Sequence, residues 1–185
     1  MAGGMKVRDF REMRPIFRLE DFFVGRTSAW GLFEDRFGAV RRQFRVVVTG
    51  SMEGETLVLD EDFNYADGET ERRVWRLHRS ADGWYEGHAE GVVGVARGQA
   101  MGNAFNWKYV FDLKVGERGV WRVSFDDWMF LQPDGVLINR AWVRRWGIKI
   151  GSVTLFFRKE KSSNESPAPE PQRGAHLAVV PPRVS

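Results

Sequence analysis

The chain has 185 residues and a formal charge of +3, from 28 Lys and Arg against 25 Asp and Glu. That near balance predicts a mixed surface and no nucleic-acid partner, since a nucleic-acid binder shows a clustered basic excess. The absence of cysteine excludes disulfides, thiolate nucleophiles, iron–sulfur clusters and cysteine-zinc sites, while 14% aromatic residues predict large flat side chains filling a core or lining a pocket.

Taken in chain order, residues 1–15 are expected to be loose. Their text, MAGGMKVRDFREMRP, has neither the apolar stretch of a secretory signal nor a lipobox cysteine. No apolar run of about 18 residues occurs further on, so the expected location is cytoplasmic. Leu19-Glu20-Asp21-Phe22-Phe23 predicts one short helical turn. Turn signals then recur at Glu34–Gly38, Glu53-Gly54, Asp67-Gly68, Asp82-Gly83, Gly116–Gly119 and Pro133-Asp134-Gly135. Between them lie segments rich in Val, Phe, Trp, Leu and Thr. About ten strands are expected, near 26–33, 40–49, 55–65, 71–79, 84–90, 92–99, 104–113, 120–131, 136–145 and 152–159. Every neighbouring pair is close enough for a hairpin, which favours an all-β, antiparallel, up-and-down barrel closed on itself. The folded domain is expected over residues 16–160. Residues 161–185 read as a disordered Pro-rich tail, with a docking peptide as the alternative.

Alternation separates two walls. Leu57, Leu59, Phe63 and Tyr65 share one face; so do Phe105, Trp107, Tyr109, Phe111 and Leu113, and so do Trp121, Val123, Phe125, Met129 and Leu131. Trp128 and Phe130 break the pattern on the nominally outer face. Gly87, Ala89, Gly91, Gly94, Ala96, Gly98, Ala100 and Gly102 form a run of small residues. They mark barrel corners or, alternatively, leave room for a ligand.

The turn Gln132-Pro133-Asp134-Gly135 sets a register in which Phe130 faces Ile138, Trp128 faces Arg140, Met129 faces Asn139, and Asp127 faces Ala141. The adjacent Asp126 and Asp127 then point to opposite walls. Asp126, Trp128 and Arg140 are expected to brace the outer wall, with Arg140 near Asp126 and stacked on Trp128. Asp127 points inward, as do Glu61 and Asn139. A buried carboxylate needs a partner or a raised pKa. These inward groups are either ligand-binding or acid/base residues in an apolar pocket, or structural residues paired to buried arginines or backbone.

His78 and His88 are expected on the outer face, near Glu86 and Arg76, and no spacing resembles a metal site. Neither metal nor cofactor is expected. The arginines of Arg41–Arg45 and Arg72–Arg79 are read as outer-face partners of Asp60, Asp62 and Glu71. A patch near Arg144, Arg145, Lys149 and Lys161, flanked by Trp142, Trp146 and Ile148, is a candidate for peripheral membrane contact.

The blocks GRTSAWGLFEDRFGAVRRQF, LDEDFNYADGETERRVWRL, ARGQAMGNAFNWKYVFDL and FDDWMFLQPDGVLINRA resemble a bacterial family catalogued as domain of unknown function 3833, over about Phe22 to Arg158. The resemblance implies a lipocalin-like (calycin-type) barrel and supplies no catalytic residues. The expected function is binding of a small hydrophobic ligand, lipid or fatty-acyl-like. Phe63, Trp107, Tyr109, Phe125 and Met129 would form its walls, and Glu61, Arg97, Asp127 or Asn139 would orient its polar end. The alternatives are an enzyme of hydratase, isomerase or cyclase type, and a packed barrel acting through a protein partner.

Overall fold

Alternating apolar and polar residues form ten antiparallel strands in the computed structural model, which describes residues 4–115 and 119–160. The strands are β1 (Gly25–Asp35), β2 (Val40–Glu53), β3 (Thr56–Tyr65), β4 (Thr70–Arg79), β5 (Trp84–His88), β6 (Val92–Met101), β7 (Ala104–Val115), β8 (Gly119–Leu131), β9 (Val136–Arg145) and β10 (Ile148–Lys159). Each pairs with its neighbour in sequence, and β1 pairs with β10, closing the barrel. Closure leaves no bare edge. The β8–β9 register matches the expected one, including Trp128 opposite Arg140 and Asp127 opposite Ala141. The expected tail, 161–185, lies outside the described residues. Among the described residues, no helix is long and apolar enough to cross a membrane.

One end of the barrel is plugged. The helical turn α1 (Leu19–Phe23) buries Leu19, Phe22 and Phe23 under the strand ends. Phe22 meets Phe17 edge to face at 6.0 Å, Phe17 meets Phe105 at 6.3 Å, and Phe23 meets Phe157 at 5.6 Å. Polar ties fix the plug: Tyr85 Oη donates to Glu20 at 2.8 Å, and Lys159 Nζ donates to the Asp21 carbonyl at 3.0 Å. Gly50 is required here, because a Cβ on it would sit 2.0 Å from the Phe23 carbonyl oxygen.

Two expectations are corrected. Residues 4–15 are not loose: a 3-10 turn at Val7–Phe10 lies across the outside of the barrel. Phe10 packs on Trp128 at 5.9 Å and Phe130 at 5.2 Å, which explains why two large rings stand on the outer wall. The small residues do not leave ligand space either. A Cβ on Gly87 or Gly98 would strike the Trp107 ring at 2.9 or 2.6 Å, and one on Gly91 would strike Phe111 at 2.6 Å. Rings from β7 fill the room that these glycines make.

Candidate functional site

Inside the barrel is a cavity of about 390 Å³, within the size range of small-molecule sites. Its floor is the plug, through Leu19, Phe23, Phe105 and Phe157. Its mouth lies at the opposite end, where Arg42, Tyr65, Glu71, Leu113, Trp121 and Ile150 stand at the strand ends. Tyr109 and Phe125 stack at 4.9 Å with their planes 7° apart, and Trp75 meets Tyr109 edge to face at 5.3 Å. Such pairing holds flat walls in place.

A polar cluster interrupts these walls. Asp127 is 7% exposed. Tyr109 Oη approaches its Oδ2 at 3.5 Å, and its Oδ1 meets no donor in the protein. Burial, aided by the neighbouring Asp126, pushes the Asp127 carboxyl up to about 8. Burial likewise pushes Glu61 up to about 7, against the pull of Arg73, which lies opposite it in the β3–β4 register. Burial also drives the Tyr109 phenol well above its ordinary value. Burial opposes the charge on Arg73, yet Glu61 and Glu71 outweigh it and its pKa rises. Arg73 donates to Glu71 at 2.5 Å and lies over the rings of Phe63 and Phe111. Toward the mouth, Tyr65 Oη donates to Glu71 at 2.9 Å, and Arg42 stacks on Tyr65 while pairing with Asp67 and Glu69. The cavity thus holds two carboxyls able to keep a proton near neutrality, beside an arginine already paired.

Glu61, Phe63, Trp107, Tyr109, Phe125, Asp127, Met129 and Asn139 all line this cavity. Asn139 is 2% exposed and donates its amide to the Trp128 carbonyl at 3.3 Å. Arg97 is corrected: it stands on the outer wall, opposite Glu86 in the β5–β6 register, and pairs with it at 2.9 Å. Asp126 does face outward, but it accepts from Asn106 at 2.8 Å and pairs with Lys108 at 3.4 Å. Arg140 stacks on Trp142 at 3.9 Å rather than on Trp128.

Arg73 and Glu71, expected outside, lie inside. The sequence carries a signal for this: they share strand parity with Trp75 and Leu77, whose inward direction fixes theirs. Charge alone points the other way.

The model of a family described as a protein of unknown function, DUF3833, matches residues 2–159. The chain belongs to that family. No curated protein matches it. Among solved structures, the S-type phycobiliprotein lyase CPES from Guillardia theta is similar, with a TM-score of 0.59 and 8% identity, over 86% of this chain and 100% of that one. At that identity the likeness shows the fold alone. This DUF3833 member is therefore a lipocalin-like barrel, as its closed ten-strand sheet requires.

Proposed function

We propose that this DUF3833 barrel binds one small apolar, lipid-derived molecule in its interior. The carrying observation is Asp127: a carboxyl buried in an aromatic cavity, with Oδ1 unmet by any protein donor. A group in that setting holds its proton near neutral pH and donates to a neutral acceptor such as an ester, a carbonyl or a hydroxyl. A free carboxylate fits the deep cavity poorly, because Arg73 is already paired with Glu71. An acyl ester or alcohol is thus favoured over a free fatty acid. Native mass spectrometry of protein from its own host, followed by organic extraction, tests the proposal. A stoichiometric apolar adduct supports it; no adduct, and no uptake of fluorescent acyl probes, sinks it. Asp127→Asn should keep the fold and change ligand affinity several-fold. Unchanged affinity with lost stability would instead make Asp127 a brace of the barrel.

A second reading rests on the same carboxyls, at about 7 for Glu61 and about 8 for Asp127. Groups poised there suit proton transfer in hydratase, isomerase or cyclase chemistry on a lipid-like substrate. Turnover of the extracted compound, lost in both Asp127→Asn and Glu61→Gln, would favour this reading; binding without turnover would reject it.

A further inference from the structure

At the mouth end, two neighbouring turns each present an aromatic ring beside an arginine. Phe37, between β1 and β2, is 78% exposed, with the Arg36 guanidinium 4.6 Å from its ring centre. Trp146, between β9 and β10, is 84% exposed, with that of Arg145 at 4.1 Å. Because β1 pairs with β10, the two tips sit side by side on the rim. Exposed Ile148 and Val120 extend the apolar surface. Trp121 joins it to the cavity, since it lines the mouth and lies 4.2 Å under Arg145.

Trp146 also carries a backbone cost. Its φ is +50° and that of Gly147 is +79°, so the pair forms the kind of tight hairpin that favours Asn-Gly. A left-handed conformation costs an ordinary residue about 1–2 kcal/mol. Folding alone gives no reason to keep an indole there, both strained and in water, and strain of this kind points to a functional surface.

The charge of the rim decides its partner. Arg36, Arg144, Arg145 and Lys149 pair with no carboxylate among the described residues, whereas Asp35 closes Arg41, and Asp67 with Glu69 closes Arg42. At the two tips the open charges are these four cations, against Glu34 on β1, which also pairs with no cation among the described residues.

We propose that this rim docks on an anionic lipid surface, with Phe37 and Trp146 at headgroup depth and Arg36, Arg144, Arg145 and Lys149 turned to the lipid phosphates. Rings at separate turn tips, each next to a cation, suit a planar interface that is apolar below and wet above. Docking would set the cavity mouth against the lipid, so that an apolar molecule passes under Trp121 without crossing water. That route rests on the proposed cavity binding; the docking itself does not.

The test is cosedimentation of the full chain with vesicles of phosphatidylcholine alone and of an equal mixture with phosphatidylglycerol. Binding should favour the mixed vesicles by at least about tenfold and weaken as salt rises. Phe37→Ser with Trp146→Ser should cut it by at least about tenfold, with thermal unfolding unchanged or slightly improved, because both residues are exposed turn tips. No binding to mixed vesicles at low salt would overturn the proposal. So would binding that the double variant leaves intact, or that soluble polyglutamate abolishes equally in both proteins, which would assign the rim to an acidic protein. Uptake of an apolar probe in vesicle-free buffer separates the two claims. Uptake without docking overturns the rim proposal alone, and docking without uptake overturns cavity binding alone.

Discussion

Under α1, Phe17, Phe22, Phe23, Phe105 and Phe157 meet edge to face and exclude water. At the other end of the same strands, Phe37, Trp121 and Trp146 stay in water with arginines on their faces. The residue types overlap, and their surroundings differ. The plugged end has one helical turn to cover the rings and polar ties to hold that turn; among the described residues the mouth has no such cover. Aromatic rings at the plug stabilise the barrel by burial, whereas those at the rim contribute little to folding.

The largest effect that checks this contrast is Phe105→Ala. Phe105 is fully buried and packs against Phe17, Tyr85 and Trp107. Its truncation should cost about 3–5 kcal/mol in urea unfolding. The matching change at the mouth, Phe37→Ala, should fall within about 0.5 kcal/mol of the parent. Similar losses at both ends would break the comparison.

The middle of the barrel lies between these extremes, and pH reads it. Burial lifts the Asp127 carboxyl from 3.8 to about 8 and that of Glu61 from 4.5 to about 7. The folded state therefore keeps protons that the unfolded chain has released. The sign follows: stability should fall as pH rises from about 4, with the Glu61 part lost near 7 and the Asp127 part near 8, and level off above. Each tenfold difference in proton affinity between the folded and unfolded chain is worth about 1.4 kcal/mol, so the two lifts together set a total loss on the order of 9 kcal/mol, the larger share from Asp127. Urea unfolding across that range should show the decline, and Asp127→Asn should remove most of its upper half. An unchanged slope in that variant would mean that Asp127 is not the buried acid responsible.

How much of this is legible in the sequence depends on whether alternation or charge governs each position. The β8–β9 hairpin is readable pair by pair, because Pro133-Asp134-Gly135 fixes the turn and apolar residues alternate up to it. The same count places Asp127 inside. Arg97 and Arg73 depart from expectation in opposite directions. On β6 the small residues Gly94, Ala96, Gly98 and Ala100 share one parity and Arg97 takes the other, so alternation itself sets Arg97 outside; neighbouring small residues are no sign of a side chain's direction, and a register shift between Val93 and Arg97 adds to the difficulty. On β4 parity is clear, but charge argues for the outer wall; Arg73 stays inside because Glu71 pairs with it and two rings cover it. The cover on Trp128 is unreadable for a different reason. It comes from Phe10, more than a hundred residues away, in a segment whose composition gives no sign of order.

One predicted effect has the opposite sign. Trp146→Asn places at φ +50° a residue that tolerates the left-handed region, ahead of Gly147 at +79°. It also removes an indole that is 84% exposed, with the Arg145 guanidinium over its ring. Unfolding should therefore become harder, by about 1 kcal/mol, while every contact of the plugged end is unaltered. Affinity for vesicles containing phosphatidylglycerol should fall in the same protein. A gain in stability paired with a loss in docking is what a residue kept for a surface, at the expense of its own turn, has to show. A loss of stability would mean instead that Trp146 packs on the rim as part of the fold, and the two ends of the barrel would then differ in degree and not in kind.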